Sequence, residues 1–77
     1  METLTKYFVM CRKLSENGIF NEIDDDKDAV MIGKQTYIKL DSYDGKWLLH
    51  CAGGDYYFKT PDELVSVLTS SLQKNNI

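Results

Sequence analysis

At 77 residues the chain is long enough for one small domain, and its 43% hydrophobic content supplies a core without disulfides. The net charge of −3 is concentrated, because residues 22–28 (EIDDDKD) alone carry −4. A nucleic-acid-binding domain shows a basic stripe. None is present, so partners with basic protein surfaces are favoured over phosphate backbones.

No run of about 18 apolar residues occurs, and no basic stretch precedes an apolar one at the N-terminus. These patterns predict neither a membrane span nor a signal peptide. Cys11 and Cys51 are too few for a secreted disulfide scaffold, which points to a reducing, cytoplasmic compartment.

Residues 4–17 read as an amphipathic helix. Leu4, Tyr7, Phe8, Cys11 and Leu14 recur on a 3.6-residue period as one apolar stripe. Gly18 suits the left-handed residue that closes a helix, with Ile19 folding back on the last turn. Residues 19–23 are open between a linker and a short strand paired across the acidic turn at 24–27. Residues 28–32 read as a strand, and Gly33-Lys34 as a two-residue turn with glycine first.

Residues 35–59 (QTYIKLDSYDGKWLLHCAGGDYYFK) hold three apolar-rich runs separated by Asp44-Gly45 and Gly53-Gly54, the signature of a meander. In a two-residue hairpin the flanking residues pair directly and share a face. The three turns then predict a core face of Ala29, Met31, Ile38, Leu40, Trp47, Leu49, Cys51, Tyr56 and Phe58. Thr60-Pro61-Asp62-Glu63 is a capping box, with Thr60 at the N-cap and Glu63 reaching back. It opens a helix to about Lys74 with Leu64, Val65, Val67, Leu68 and Leu72 as its stripe, while Asn75, Asn76 and Ile77 are expected to fray. The expected fold is α+β: a two-layer α-β-β-β-β-α domain spanning 1–77. Both helices lie on one face of a four-stranded antiparallel meander, with a fifth strand if residues 19–23 pair.

The same register assigns Val30, Ile32, Tyr37, Lys39, Asp41, Tyr43, Leu48, His50 and Tyr57 to the face away from the helices. Ile19 and Ile23 would join them. Lys39, His50 and Tyr57 are expected in one row, and Asp41, Leu48 and Lys59 in the next. A solvated sheet face carries more charge and fewer tyrosines than this. Tyrosine offers large contact area at little entropic cost, so the face suits a protein partner or a second copy of the chain.

Catalytic chemistry finds no constellation. His50 and Cys51 are adjacent on a strand and point to opposite faces, and there is no second histidine. Asp24, Asp26 and Asp28 match alternate positions of a calcium loop. Ala29 stands where that loop turns on glycine, and Gln35 where it needs a bidentate glutamate. No motif calls for a metal or another cofactor. The helix-strand order resembles that of double-stranded-RNA-binding domains in topology, but the last helix opens with Pro61, Asp62 and Glu63 instead of lysines.

The expectation is a non-enzymatic protein-binding module, an inhibitor of the immunity, anti-restriction or anti-CRISPR type found in phages and mobile elements. Its contacts would come from Tyr37, Lys39, Tyr43, Leu48, His50 and Tyr57, with Asp24, Asp25, Asp26 and Asp28 steering approach to a basic partner such as a nucleic-acid-binding enzyme. The alternative is single-stranded nucleic-acid binding by stacking on the same face.

Overall fold

Each helix is bounded by local chemistry. Helix α1 (Glu2–Glu16) ends where Gly18 takes φ +71°. The Ile19 N–H bonds the Leu14 carbonyl at 2.9 Å and the Gly18 N–H bonds that of Ser15 at 3.0 Å, the paired bonds of a Schellman closure. Ile19 is thereby folded into the core. Helix α2 (Pro61–Asn75) begins where the Thr60 Oγ1 accepts the Glu63 N–H at 3.2 Å. That is one of the two bonds expected of a capping box. The structure, a computed structural model, describes residues 2–41 and 43–75, and side chains for 5–41 and 43–71. Leu4 and Leu72, expected in the helical stripes, lie outside the described side chains, and Asn76 and Ile77 outside the described residues.

Between the helices run five strands: β1 (Glu22–Asp24), β2 (Ala29–Met31), β3 (Tyr37–Leu40), β4 (Trp47–Cys51) and β5 (Gly54–Phe58). They form one antiparallel sheet in sequence order. Residues 22–24 are thus a strand, and the sheet has two strands more than the RNA-binding order it resembles. Both helices cover the same face. Tyr7, Met10 and Leu14 of α1 and Leu64 and Val65 of α2 meet Val30, Ile38, Trp47 and Leu49 in one core cluster.

The turns are not where dipeptide chemistry places them. Ile32 N–H bonds the Thr36 carbonyl at 3.0 Å, so the closing pair encloses three residues, 33–35, and Val30 pairs with Ile38. This one-residue shift turns β2 over. Val30 is fully buried and Ile32 packs against the core, whereas Met31 belongs to the outer face. The register sets Val30 against the helices where the alternative would set Ala29, a gain in apolar area, and Ala29 is still fully buried in the sheet. Ile23, opposite Val30, and Ile19 likewise go to the core and not to the outer face.

The other two shifts are of two residues and leave the faces intact. Asp41 pairs with Lys46 across a four-residue loop ending in Gly45 at φ +71°, so Leu40 faces Trp47. The last turn is Ala52-Gly53, so Trp47 faces Phe58 and Leu49 faces Tyr56.

On α1 the buried stripe is Tyr7, Met10 and Leu14 with Cys11 at its flank, and Phe8 is 57% exposed, contrary to the expected stripe. The helix is rotated so that Tyr7 points into the sheet. On α2, Val67 is exposed beyond Leu64, Val65 and Leu68. Among the described residues no helix is long and apolar enough to cross a membrane.

Candidate functional site

The face of the sheet that neither helix covers carries the candidate surface. Two cross-strand rows define it. One runs Glu22, Met31, Tyr37, His50, Asp55, and the next contains Lys39, Leu48 and Tyr57. The sequence-based rows paired Lys39 with His50 and Leu48 with Lys59. The two-residue shift of the last two hairpins moves His50 beside Tyr37 and Leu48 beside Lys39.

His50 and Tyr37 stack, with ring centroids 4.6 Å apart and planes inclined by 20°. The Lys39 ammonium lies 5.7 Å from the centre of the Tyr37 ring. On its other side, His50 Nδ1 meets the Asp55 carboxylate at 2.5 Å, which leaves Nε2 as the nitrogen not engaged by that carboxylate. Leu48 is half-buried beside them, and Tyr57 is 56% exposed. The stack and the carboxylate restrict the rotamers of Tyr37 and His50, so these rings are ordered before any partner arrives.

The acidic turn borders this face. A depression of about 430 Å³ is lined by Asp26 and Lys27 of the turn together with Ala29, Tyr37 and Lys39. The four aspartates of the turn divide into two kinds. Asp24 Oδ1 accepts the Lys27 N–H at 3.2 Å, and Asp28 pairs with Lys6 of α1 at 2.7 Å. Asp28 also holds the turn in shape at φ 50°, a conformation aspartate tolerates better than most residues. Asp25 and Asp26 are exposed and make no ion pair among the described residues.

Tyr43 does not join the surface. It sits in the β3–β4 loop, 97% exposed, with its N–H bonded to Asp41 Oδ1. Asp41 is likewise taken up by that loop. Val30 and Ile32 leave the surface for the core, and Met31 and Asp55 replace them. Asp55 was legible from parity with Tyr57, since both belong to one strand face. Met31 was not, because it depended on the turn before β3.

On the helix side, the hydroxyl of Tyr7 organises the end of the sheet nearest the acidic turn. It donates to the Asp28 carbonyl at 2.8 Å and accepts the Leu40 N–H at 3.0 Å. Asp28 and Leu40 would be the next hydrogen-bonding pair in the β2–β3 register, so the hydroxyl bridges the gap where these strands part. Burial pushes the Tyr7 phenol above its ordinary value, and the hydrogen bond to Asp28 raises the Lys6 ammonium.

Comparisons of the chain with protein-family models, with curated proteins and with solved structures find no match.

Proposed function

We propose that the chain is a small acidic protein-binding module that acts by occupying a partner's surface and not by catalysis, an inhibitor in the manner of immunity, anti-restriction or anti-CRISPR proteins. The observation that carries this reading is the Tyr37–His50 stack, held by Asp55 on a sheet face left bare by both helices. Pre-ordered aromatic side chains with an apolar neighbour, here Leu48 and Tyr57, are the composition of binding hot spots. Asp25 and Asp26 lie at the rim, where uncompensated charge steers encounter with a basic partner. A basic protein that normally holds nucleic acid fits this charge. Free thiols at Cys11 and Cys51 suit a reducing cytoplasm.

The test is affinity capture from a host lysate with the wild-type chain, Tyr37→Ala/Tyr57→Ala and Asp25→Asn/Asp26→Asn. Each variant is first checked for retained folding. The partner captured by the wild type should bind the tyrosine variant about 30-fold or more weakly, as for loss of a central anchor. The aspartate variant should associate more slowly and with a flatter salt dependence. A folded tyrosine variant that keeps full affinity would move the site elsewhere. Tight binding of single-stranded nucleic acid in a gel shift would replace this reading with base stacking on the same face.

A further inference from the structure

Strand β5 lies at one edge of the sheet, and the turn before it decides which of its backbone groups are free. Cys51 and Gly54 flank the Ala52-Gly53 turn and pair directly. The pair that closes a two-residue hairpin exchanges both backbone hydrogen bonds, and bonding then alternates along the ladder. Gly54, Tyr56 and Phe58 therefore direct their N–H and C=O groups to β4. Asp55 and Tyr57 direct theirs outward, and Lys59 continues the row.

Sheets guard such edges with proline, bulges, very short strands, charged side chains or a covering element, and the charges along β5, Asp55 and Lys59, are of opposite sign. The opposite edge, β1, is three residues long and lies beside the acidic turn, while each edge strand has one helix packed on its inner face. β5 is five residues long, regular in its pairing and free of proline.

Residues 55–59 (DYYFK) are complementary to themselves when run antiparallel. With Tyr57 opposite its own counterpart, Asp55 faces Lys59 and Tyr56 faces Phe58, and two-fold symmetry repeats both pairs. Opposite charges and aromatic pairs directly across a ladder are favourable. Sliding the strands by four residues sets Asp55 against Asp55 or Lys59 against Lys59, and sliding by two sets one of the charges against Tyr57 and the other against Gly53 or Pro61. Lys59 makes no ion pair among the described residues. Asp55 uses Oδ1 for His50, leaving Oδ2.

We propose that β5 pairs antiparallel with β5 of a second copy of this chain, joining two five-stranded sheets into one about a two-fold axis at Tyr57. The surface is the sheet's edge, so this does not depend on the face proposed above. The pairing closes about six hydrogen bonds between chains. A contact of this kind lies below roughly 1,200 Å², so the dimer is weak, about micromolar or weaker.

Sedimentation equilibrium of the full chain, from about 10 µM to 1 mM, should show reversible dimerisation. Asp55→Lys sets lysine against lysine, and Lys59→Glu sets carboxylate against carboxylate. Each should weaken self-association about tenfold, whereas an equimolar mixture regains opposite charges at both pairs and should form a heterodimer near wild-type strength. Tyr57→Pro removes an outward N–H that has no ladder partner in the monomer, so it should keep the fold and abolish the dimer. A wild-type chain that stays monomeric at about 1 mM overturns the proposal. So does mixing of the charge variants without recovery, or a folded proline variant that dimerises as before. If the proline variant unfolds, the charge-variant mixture decides alone.

Discussion

Tyr7 shows how one side chain can complete a sheet it does not belong to. Its ring packs 5.9 Å from that of Trp47, and its hydroxyl stands in for the missing rung between Asp28 and Leu40. Tyr7→Phe keeps the ring and removes the rung, leaving the Leu40 N–H and the Asp28 carbonyl without their partner. The expected loss is about 1–3 kcal/mol, read as a lower denaturation midpoint and faster exchange at the Leu40 amide. Alkali tests the same site. Burial raises the Cys11 thiol above 9.0 and the Tyr7 phenol above 10.0, and the bond to Asp28 raises the Lys6 ammonium above 10.5. A raised folded value means that the folded chain holds its proton more tightly than the unfolded one. The stability each group contributes is therefore complete below its ordinary value and is lost as pH rises through the folded value. Melting temperature should fall above about pH 9, and less steeply in Tyr7→Phe once pH exceeds the ordinary phenol value of 10.0. Equal slopes in the two proteins would remove Tyr7 from this account.

The helix boundaries depend on interactions within a few residues, and for that reason they were legible in the sequence. Asn17-Gly18-Ile19 closes α1 by backbone geometry, and Thr60 opens α2 by one side-chain bond. A methyl group at Gly18 would meet no atom within 4 Å, so Gly18→Ala isolates the backbone cost of φ +71°. That cost should be about 1 kcal/mol, and smaller for Gly18→Asn, since asparagine visits the left-handed region more readily. Equal stability of the alanine variant and the wild type, by urea denaturation, would show that the helix closes another way. The hairpins were less legible. Asp44-Gly45 marks a turn correctly, but the loop extends to four residues, with glycine last. Gly33-Lys34 marks a turn as well. Its length was settled by distant packing, because only one register buries Val30 opposite both Ile23 and Ile38. A shift of two preserved the faces of β4 and β5, and a shift of one reversed β2. The outer face was therefore read correctly at Tyr37, Lys39, Leu48, His50 and Tyr57. Val30 and Ile32 belong instead to the core, and Asp41 and Tyr43 to the β3–β4 loop, and the stack of Tyr37 on His50 follows only from the final register.

At the scale of the whole molecule, stability is limited by the small core that 77 residues can enclose. A domain of this length has roughly 4–11 kcal/mol to lose. Trp47 is the bulkiest member of that core. It is 8% exposed, is flanked in the sheet by Leu40 and Phe58, and packs against Tyr7 from α1. It thus joins the sheet to the helix whose hydroxyl holds β2 and β3 together. Trp47→Ala removes the largest side chain from a layer one helix thick, and the surrounding elements cannot all close on the space. The expected cost is about 3–5 kcal/mol, comparable with the stability of the whole chain. Loss should therefore be cooperative: far-UV circular dichroism and amide exchange in both helices should collapse together at 37 °C. Trp47→Phe keeps most of the volume and should remain folded with a lower melting temperature. An alanine variant that melts as the wild type does would mean that the two helices and the sheet are held by contacts that bypass Trp47. The shared core of α1, α2 and β4 argues against that outcome, because Tyr7, Leu49 and Leu64 belong to the same buried cluster as the indole.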